Sequence, residues 1–423
     1  MAPLSNDLRR KLKNAVEKAR DEAEAGARKA LDMLAVGHHE PHGTMSVEER
    51  ELRRRLRERG RQLGDRRDSR QGTQTVDLLV QEVAYEHWHR MLFARFLAEN
   101  GLLIEPTRQL PISMEDCEEL ARDAGENPYS MAARFTQASL PQIFRPDSPV
   151  FELHFPPEHQ QKLEHEIDDL PHDVYTASDS LGWVYQFWQT KRKGEVNESG
   201  VKIGAQELAP VTQLFTEPYM VSFLLDNSLG AWWAARRLTD VDLESAASEE
   251  ELRQKAAIPG VPLEYLRFVR DDDKAWTPAA GTFSRWPDHL SELKAMDPCC
   301  GSGHFLVAAL HMLVPMRMES EGLSAREDVD AVLRENLHGL ELDERCVELA
   351  AFALALAAWT YPGSGGFRPL PEFHLACSGS SVGVSKEDWK RLGDGDQNLS
   401  IALGSMYDLF RQAPVLGSLI DPA

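Results

Sequence analysis

The feature that most constrains this chain is the string Asp297-Pro298-Cys299-Cys300-Gly301-Ser302-Gly303-His304-Phe305-Leu306, which stands where a short apolar run ends and a helical pattern begins. Two glycines two positions apart let the backbone turn sharply and approach a ligand closely. The first N–H groups of the helix beyond them remain free to bind it. Short apolar runs at Ala295-Met296-Asp297, Leu337 to Leu342 and Phe373 to Cys377 read as strands. Helical patterns at Phe305 to Glu319, Asp328 to Glu335 and Glu344 to Thr360 fall between them. Strands that alternate with helices predict an α/β fold with a doubly wound, mostly parallel sheet.

Taken alone, the string is equally a plain strand-to-helix turn. A dinucleotide fingerprint needs a third glycine where Leu306 stands, which disfavours NAD. A hydrolase elbow of the Gly-x-Ser-x-Gly type needs glycine where Cys300 stands, so Ser302 is not read as a nucleophile. The second strand ends in His338-Gly339-Leu340-Glu341-Leu342-Asp343, which sets a carboxylate beside the turn. An isolated Glu341 would be a helix-capping acid, whereas its pairing with the glycine loop favours a ribose acceptor. Adjacent Cys299 and Cys300 point apart, which disfavours one shared metal and favours buried small residues.

The first two hundred residues read as helical. Leu8, Leu12, Val16, Ala19, Ala23, Ala27 and Leu31 recur at helical spacing behind a Ser5 to Asp7 cap. Gly37 to Gly43 is read as a loop, because its Gly and Pro deny His38 and His42 the helix that would join them on a metal. Further helices are expected from Ser46 and over Val76 to Asn100, and Asn127-Pro128-Tyr129 is read as a turn. The aromatic stretch Asp179 to Trp188, with Lys191 to Gly194 and the polar stretch to Gly204 that follow it, is taken as a seam between this helical region and the C-terminal part of the chain.

Charge is unevenly spread. The chain of 423 residues carries −21 overall, yet residues 1 to 70 carry +5, concentrated in the arginines of Glu48 to Arg70. Those arginines read as a solvated helix face in preference to a phosphate-contacting patch. Five cysteines, an odd number without a C-x-x-C pair, read as reduced thiols. No apolar stretch reaches the ~20 residues of a membrane-spanning helix. The N-terminus shows no apolar leader, so a cytoplasmic location is expected.

The glycine string followed by Gly-x-Glu-x-Asp resembles the S-adenosyl-L-methionine motifs of N6-adenine-specific DNA methyltransferases. Upstream, Gln213-Leu214-Phe215-Thr216-Glu217-Pro218-Tyr219-Met220-Val221 looks like the motif these enzymes place over the methionine end of the cofactor, with Glu217 a departure from the usual Thr-Pro. Leu181 to Trp188 and Trp88 to Phe96 resemble segments of the large phage-defence methyltransferases of BREX and DISARM systems. The resemblance implies a helical N-terminal region followed by a partial Rossmann-like, S-adenosylmethionine-dependent methyltransferase domain. It implies a cofactor site of Thr216, Asp297, Cys300, Gly301, Gly303, Glu341 and Ser378, the last where the family contacts the adenine ring. No metal site is implied. Double-stranded DNA and other phage-defence subunits are the implied partners.

The expected division is a basic helical segment over 1–72, a helical domain over 73–204 and the cofactor-binding half of an incomplete methyltransferase domain over 205–423. The family acts through an (Asn/Asp)-Pro-Pro-(Tyr/Phe) motif that this sequence lacks, so no catalytic residue is assigned. Methyl transfer to adenine N6 in a restriction-modification or phage-defence system is therefore expected of the parent protein, and this chain alone is expected to be inactive. The alternatives are a catalytically silent cofactor-binding or DNA-positioning subunit, or methyl transfer to RNA or a protein amide.

Overall fold

A computed structural model describes residues 3–68, 70–141, 143–144, 148–200, 202, 211, 215–270, 275–378 and 386–411. The chain divides into two compact units, Met1–Val201 and Lys202–Ala423.

The first unit is built from helices α1 (Asn6–Met33), α2 (Val47–Leu63), α3 (Asp77–Glu99), α4 (Met114–Ala124), α5 (Pro128–Ser139), α6 (Pro157–Asp168), α7 (His172–Thr176) and α8 (Ser180–Ser199). A two-residue ribbon, β1 (Ile104–Glu105) with β2 (Leu110–Pro111), interrupts them. The expected cap of α1 is present, the Ser5 hydroxyl accepting from the Leu8 N–H, and Ser46 at the head of α2 forms a capping box with Glu49. Leu12, Val16, Ala19, Ala23 and Ala27 form the buried stripe of α1, which packs on α3, α6 and α8. Helix α3 buries residues around most of its circumference. Its Trp88 stacks on Trp188 with ring centroids 4.5 Å apart, and Tyr85 meets Tyr185 edge-on at 5.8 Å.

The aromatic run Ser180 to Trp188 lies within α8 and supplies core aromatics to the first unit. The structure corrects two expectations. Asn127 caps α5 through Oδ1, which accepts from the Ser130 N–H, with Pro128 in the first helical turn; the string starts a helix. Neither Arg53 nor Arg57 belongs to a solvated face. Arg57 donates to the carbonyls of Val36, His38 and Gly72, and Arg53 to those of Ala35, His38 and His39. These two side chains satisfy loop carbonyls that have no helix or sheet to pair with.

In the second unit, α9 (Pro218–Leu225), α10 (Ala231–Arg237), α11 (Asp240–Ser245) and α12 (Glu249–Ala256) precede a hairpin of β3 (Phe268–Arg270) and β4 (Trp276–Pro278). Then come β5 (Ala295–Asp297), α13 (His304–Glu321), α14 (Ala325–Glu335), β6 (Leu337–Glu341), α15 (Glu344–Thr360) and β7 (His374–Cys377). The three last strands are parallel in the order β5-β6-β7, with Met296 beside His338 and His338 beside His374. Leu310, Leu313, Val329, Leu337 and Leu354 close the core between sheet and helices. Helices α16 (Lys386–Arg391) and α17 (Gln397–Phe410) come last. The strand-helix alternation read from the sequence is thus a small parallel sheet within a helix-rich α/β unit. Among the described residues the strand order runs in one direction without the reversal that marks double winding. No helix among them is long and apolar enough to cross a membrane.

Candidate functional site

The C-terminal ends of β5 and β6 carry the polar groups singled out from the sequence, as expected of a parallel sheet whose ligands bind beyond its carboxyl edge. The turn after β5 is tied to β6 by the Cys300 N–H, which donates to the Leu340 carbonyl at 3.0 Å, and it closes on itself through the Gly303 N–H to the Cys300 carbonyl at 2.8 Å. Gly301 and Gly303 both have positive φ, +52° and +78°. They differ in what surrounds them. A Cβ on Gly303 would stand 2.9 Å from the Ala350 backbone of α15, whereas one on Gly301 would meet no described residue within 4 Å. Gly303 therefore permits helix packing, and Gly301 leaves open space at the mouth of the turn. Among the described residues no side chain caps α13.

Glu341, only 9% exposed, joins strand and turn directly. Its Oε2 accepts from the Gly301 N–H at 2.8 Å, and Oε1 accepts from the Leu342 and Asp343 N–H groups at 2.6 and 3.1 Å. Three of the roughly four acceptor positions of a carboxylate are thus engaged. Asp297 accepts from the Cys299 N–H through Oδ1, while Oδ2 is buried without a hydrogen-bond partner among the described residues. Burial raises its pKa above the ordinary aspartate value. A buried acceptor without a donor is costly, and an incoming N–H or O–H would relieve it.

Ser378 lies just beyond β7 and donates both its N–H, at 2.8 Å, and its hydroxyl, at 3.4 Å, to the Glu341 carbonyl. Phe215 packs its ring 4.4 Å from that of His304 at the start of α13, and Thr216 is the next residue. Gln213 and Leu214 of the same string lie outside the described residues. Cys300 is buried and its Sγ lies beneath Gly339, so its side chain serves the core; burial raises its thiol pKa. Cys299 is exposed, which corrects the reading of both cysteines as buried. Sequence patterning gave Gly339 no role of its own. A Cβ there would meet Leu375, Leu306 and Cys300 at 2.6, 2.9 and 3.1 Å. A glycine inside a strand is the signal that could have marked this close approach. Ala350 and the Phe215–His304 pair left no such trace.

Residues 274–362, which include the glycine turn and Glu341, match a family model described as "MmeI, DNA-methyltransferase domain". A protein named adenine-specific methyltransferase PglX from Lacticaseibacillus casei (strain Zhang) is 27% identical over 318 residues, 66% of this chain and 25% of the relative. The homologues of this chain are adenine-specific methyltransferases. Another, BrxX of Escherichia coli O9:H4 (strain HS), is 30% identical over 192 residues, 45% of this chain and 14% of the relative. PglX of Streptomyces coelicolor is 26% identical over 336 residues, 77% of this chain and 24% of the relative. The matches span a quarter or less of the length of these curated relatives.

Proposed function

We propose that this chain carries the S-adenosylmethionine site of a Rossmann-like methyltransferase domain, and that the whole protein methylates adenine N6 in double-stranded DNA within a restriction-modification or phage-defence system, alongside other subunits of that system. The observation that carries this reading is the direct hydrogen bond from the Gly301 N–H to the Glu341 carboxylate, with open space over Gly301 and the unpartnered Asp297 Oδ2 in the same turn. These residues fit such a cofactor. The sulfonium would supply a methyl group already electrophilic enough for direct transfer, without a metal.

The protein's tasks in this reading are to bind, orient and exclude water. Glu341 has capacity left for one further hydroxyl; taking a second requires it to release the Gly301 N–H, which would then face the ligand. Asp297 Oδ2 would accept an N–H or O–H of the ligand. The first N–H groups of α13 would offer donors to a carboxylate. Thr216 would cover the site from the segment seated on His304, and Ser378 would border it from β7. The sequence contains no (Asn/Asp)-Pro-Pro-(Tyr/Phe) string, so the groups that hold a flipped adenine are not assigned to this chain.

Titration calorimetry with S-adenosylmethionine tests the site. Glu341→Gln should weaken binding by roughly 1–3 kcal/mol, because one acceptor is replaced by a donor facing N–H groups and hydroxyls. Wild-type chain that releases no heat with S-adenosylmethionine or S-adenosylhomocysteine would sink the cofactor reading. Incubation of the chain with DNA and methyl-labelled cofactor should leave the DNA unlabelled; incorporation above background would reveal an acceptor site that the sequence does not announce.

A further inference from the structure

A second site lies in the first unit, in a cavity of about 340 Å³ framed by α3, α5, α6 and the turn Pro149–Glu152. That volume is at the small end of ligand pockets, which run from ~300 to 1,000 Å³. Five rings line it: Tyr129, Phe151 and Phe155 together with those of His87 and His154. The His87 ring stacks on Phe155 with centroids 4.5 Å apart and is held by the Val150 carbonyl. Desolvation pushes the His87 pKa down to about 3, so its ring is neutral at pH 7.

Arg90 supplies the charge. Its guanidinium lies over the Phe151 ring, 4.2 Å from the centroid, and its Nε is buried without a hydrogen-bond partner among the described residues. No ion pair among them compensates it: Glu86, a turn earlier on α3, acts on it only at longer range. Burial lowers the Arg90 pKa to about 10, which leaves it charged at neutral pH. The Asn127 Oδ1 in the cavity wall already accepts from the Ser130 N–H. A half-buried guanidinium with unspent donors, on an aromatic wall and beside a neutral imidazole, is an incomplete arrangement. Its fork matches a carboxylate or phosphate, and the rings around it match a flat apolar body.

We propose that this cavity binds a small organic anion, a carboxylate or phosphate borne on an aromatic or similarly flat group, through the Arg90 guanidinium. The site is independent of the glycine turn, so it does not rest on the methyltransferase reading.

Ligand-observed NMR titration of the full chain can test it with three probes of one shape: phenyl phosphate, benzoate and the uncharged benzyl alcohol. At least one anion should bind about tenfold or more tightly than benzyl alcohol, and which anion wins distinguishes a phosphorylated ligand from a carboxylic acid. Arg90→Gln should abolish that preference and Arg90→Lys should keep part of it, with circular dichroism showing both variants folded. Glu341→Gln should leave it unchanged, which separates this site from the cofactor site. Equal binding of all three probes, or an anion preference that survives Arg90→Gln, would overturn the proposal and assign Arg90 to packing over Phe151. Should Arg90→Gln fail to fold, Phe151→Leu serves in its place, with the anion preference expected to weaken at least threefold; an unchanged preference would again overturn it.

Discussion

Asp297 and Asp328 both have carboxyl oxygens without hydrogen-bond partners among the described residues, but their settings give those oxygens opposite meanings. Asp297 ends a strand at the mouth of a turn, where an incoming donor can reach it. Asp328 is fully buried in α14, with the Arg317 Nε at 4.0 Å and neither oxygen hydrogen-bonded among the described residues. Burial dominates there and raises the Asp328 pKa from 3.8 to about 6, the Arg317 charge opposing and Glu321 and Glu327 assisting. The raised folded-state value means that the native protein favours the protonated acid. Well below pH 4 the group is protonated in both states and costs nothing. Between about pH 4 and pH 6 the unfolded state is ionised and the native state is not, so stability falls with rising pH, by roughly 1–3 kcal/mol in all, and levels off above 6 where both states are ionised. Asp328→Asn should flatten this slope, which melting temperatures of wild type and variant between pH 4 and 7.5 will show; parallel curves would mean that Asp328 ionises normally.

At the scale of elements, the two glycines of the turn separate folding from binding. Gly303→Ala places a methyl group against the Ala350 backbone at positive φ and should destabilise the second unit by about 2–4 kcal/mol. Gly301→Ala meets only open space, so it should cost about 1 kcal/mol for its positive φ while weakening cofactor binding. Thermal melting and calorimetry on both variants will check the pair; equal stability losses would refute the distinction. Periodicity explains why β5 to β7 and α13 to α15 were legible in the sequence to within a few residues: each element's apolar spacing matches the face it buries. Contacts between distant residues left no such record. The carbonyls of the 35–39 loop take Arg53 and Arg57 from a helix some twenty positions later, which no local pattern announces. Cys299 and Cys300 are adjacent and similar in sequence, yet the turn exposes one and buries the other. The aromatic run before Trp188 looks like an interruption until α3 supplies the Trp88 ring that stacks on it. Asp297, Gly301, Gly303 and Glu341 were readable together because one turn and one strand end hold them; the Phe215–His304 contact beside them is one that spacing does not encode.

Over the whole molecule, charge and structure together decide where a polyanion can be met. The excess of +5 in residues 1 to 70 stands against −26 in the remainder. Arg53 and Arg57 cannot serve, because loop carbonyls already occupy their donors. Arg54 is committed to Glu51. Arg66, Arg67 and Arg70 are exposed on the segment just beyond α2. That segment is anchored at both ends, by Arg57 on the Gly72 carbonyl and by Asp65, whose buried carboxylate accepts from the Leu78 and Leu79 N–H groups at the start of α3. A fixed loop presents its charges with little ordering entropy still to lose. Duplex DNA affinity should therefore fall with salt at a log-log slope of about −0.9 per neutralised phosphate, and replacing Arg66, Arg67 and Arg70 with Gln should flatten it by up to about 2.7. Arg57→Gln should instead lower the melting temperature, since it strands the Val36 and Gly72 carbonyls. Contacts of this kind carry no base information, so a scrambled duplex should bind as well as any other. A slope unchanged in the triple variant would return these arginines to solvent, and a strong preference for one duplex would require readout by residues other than these three.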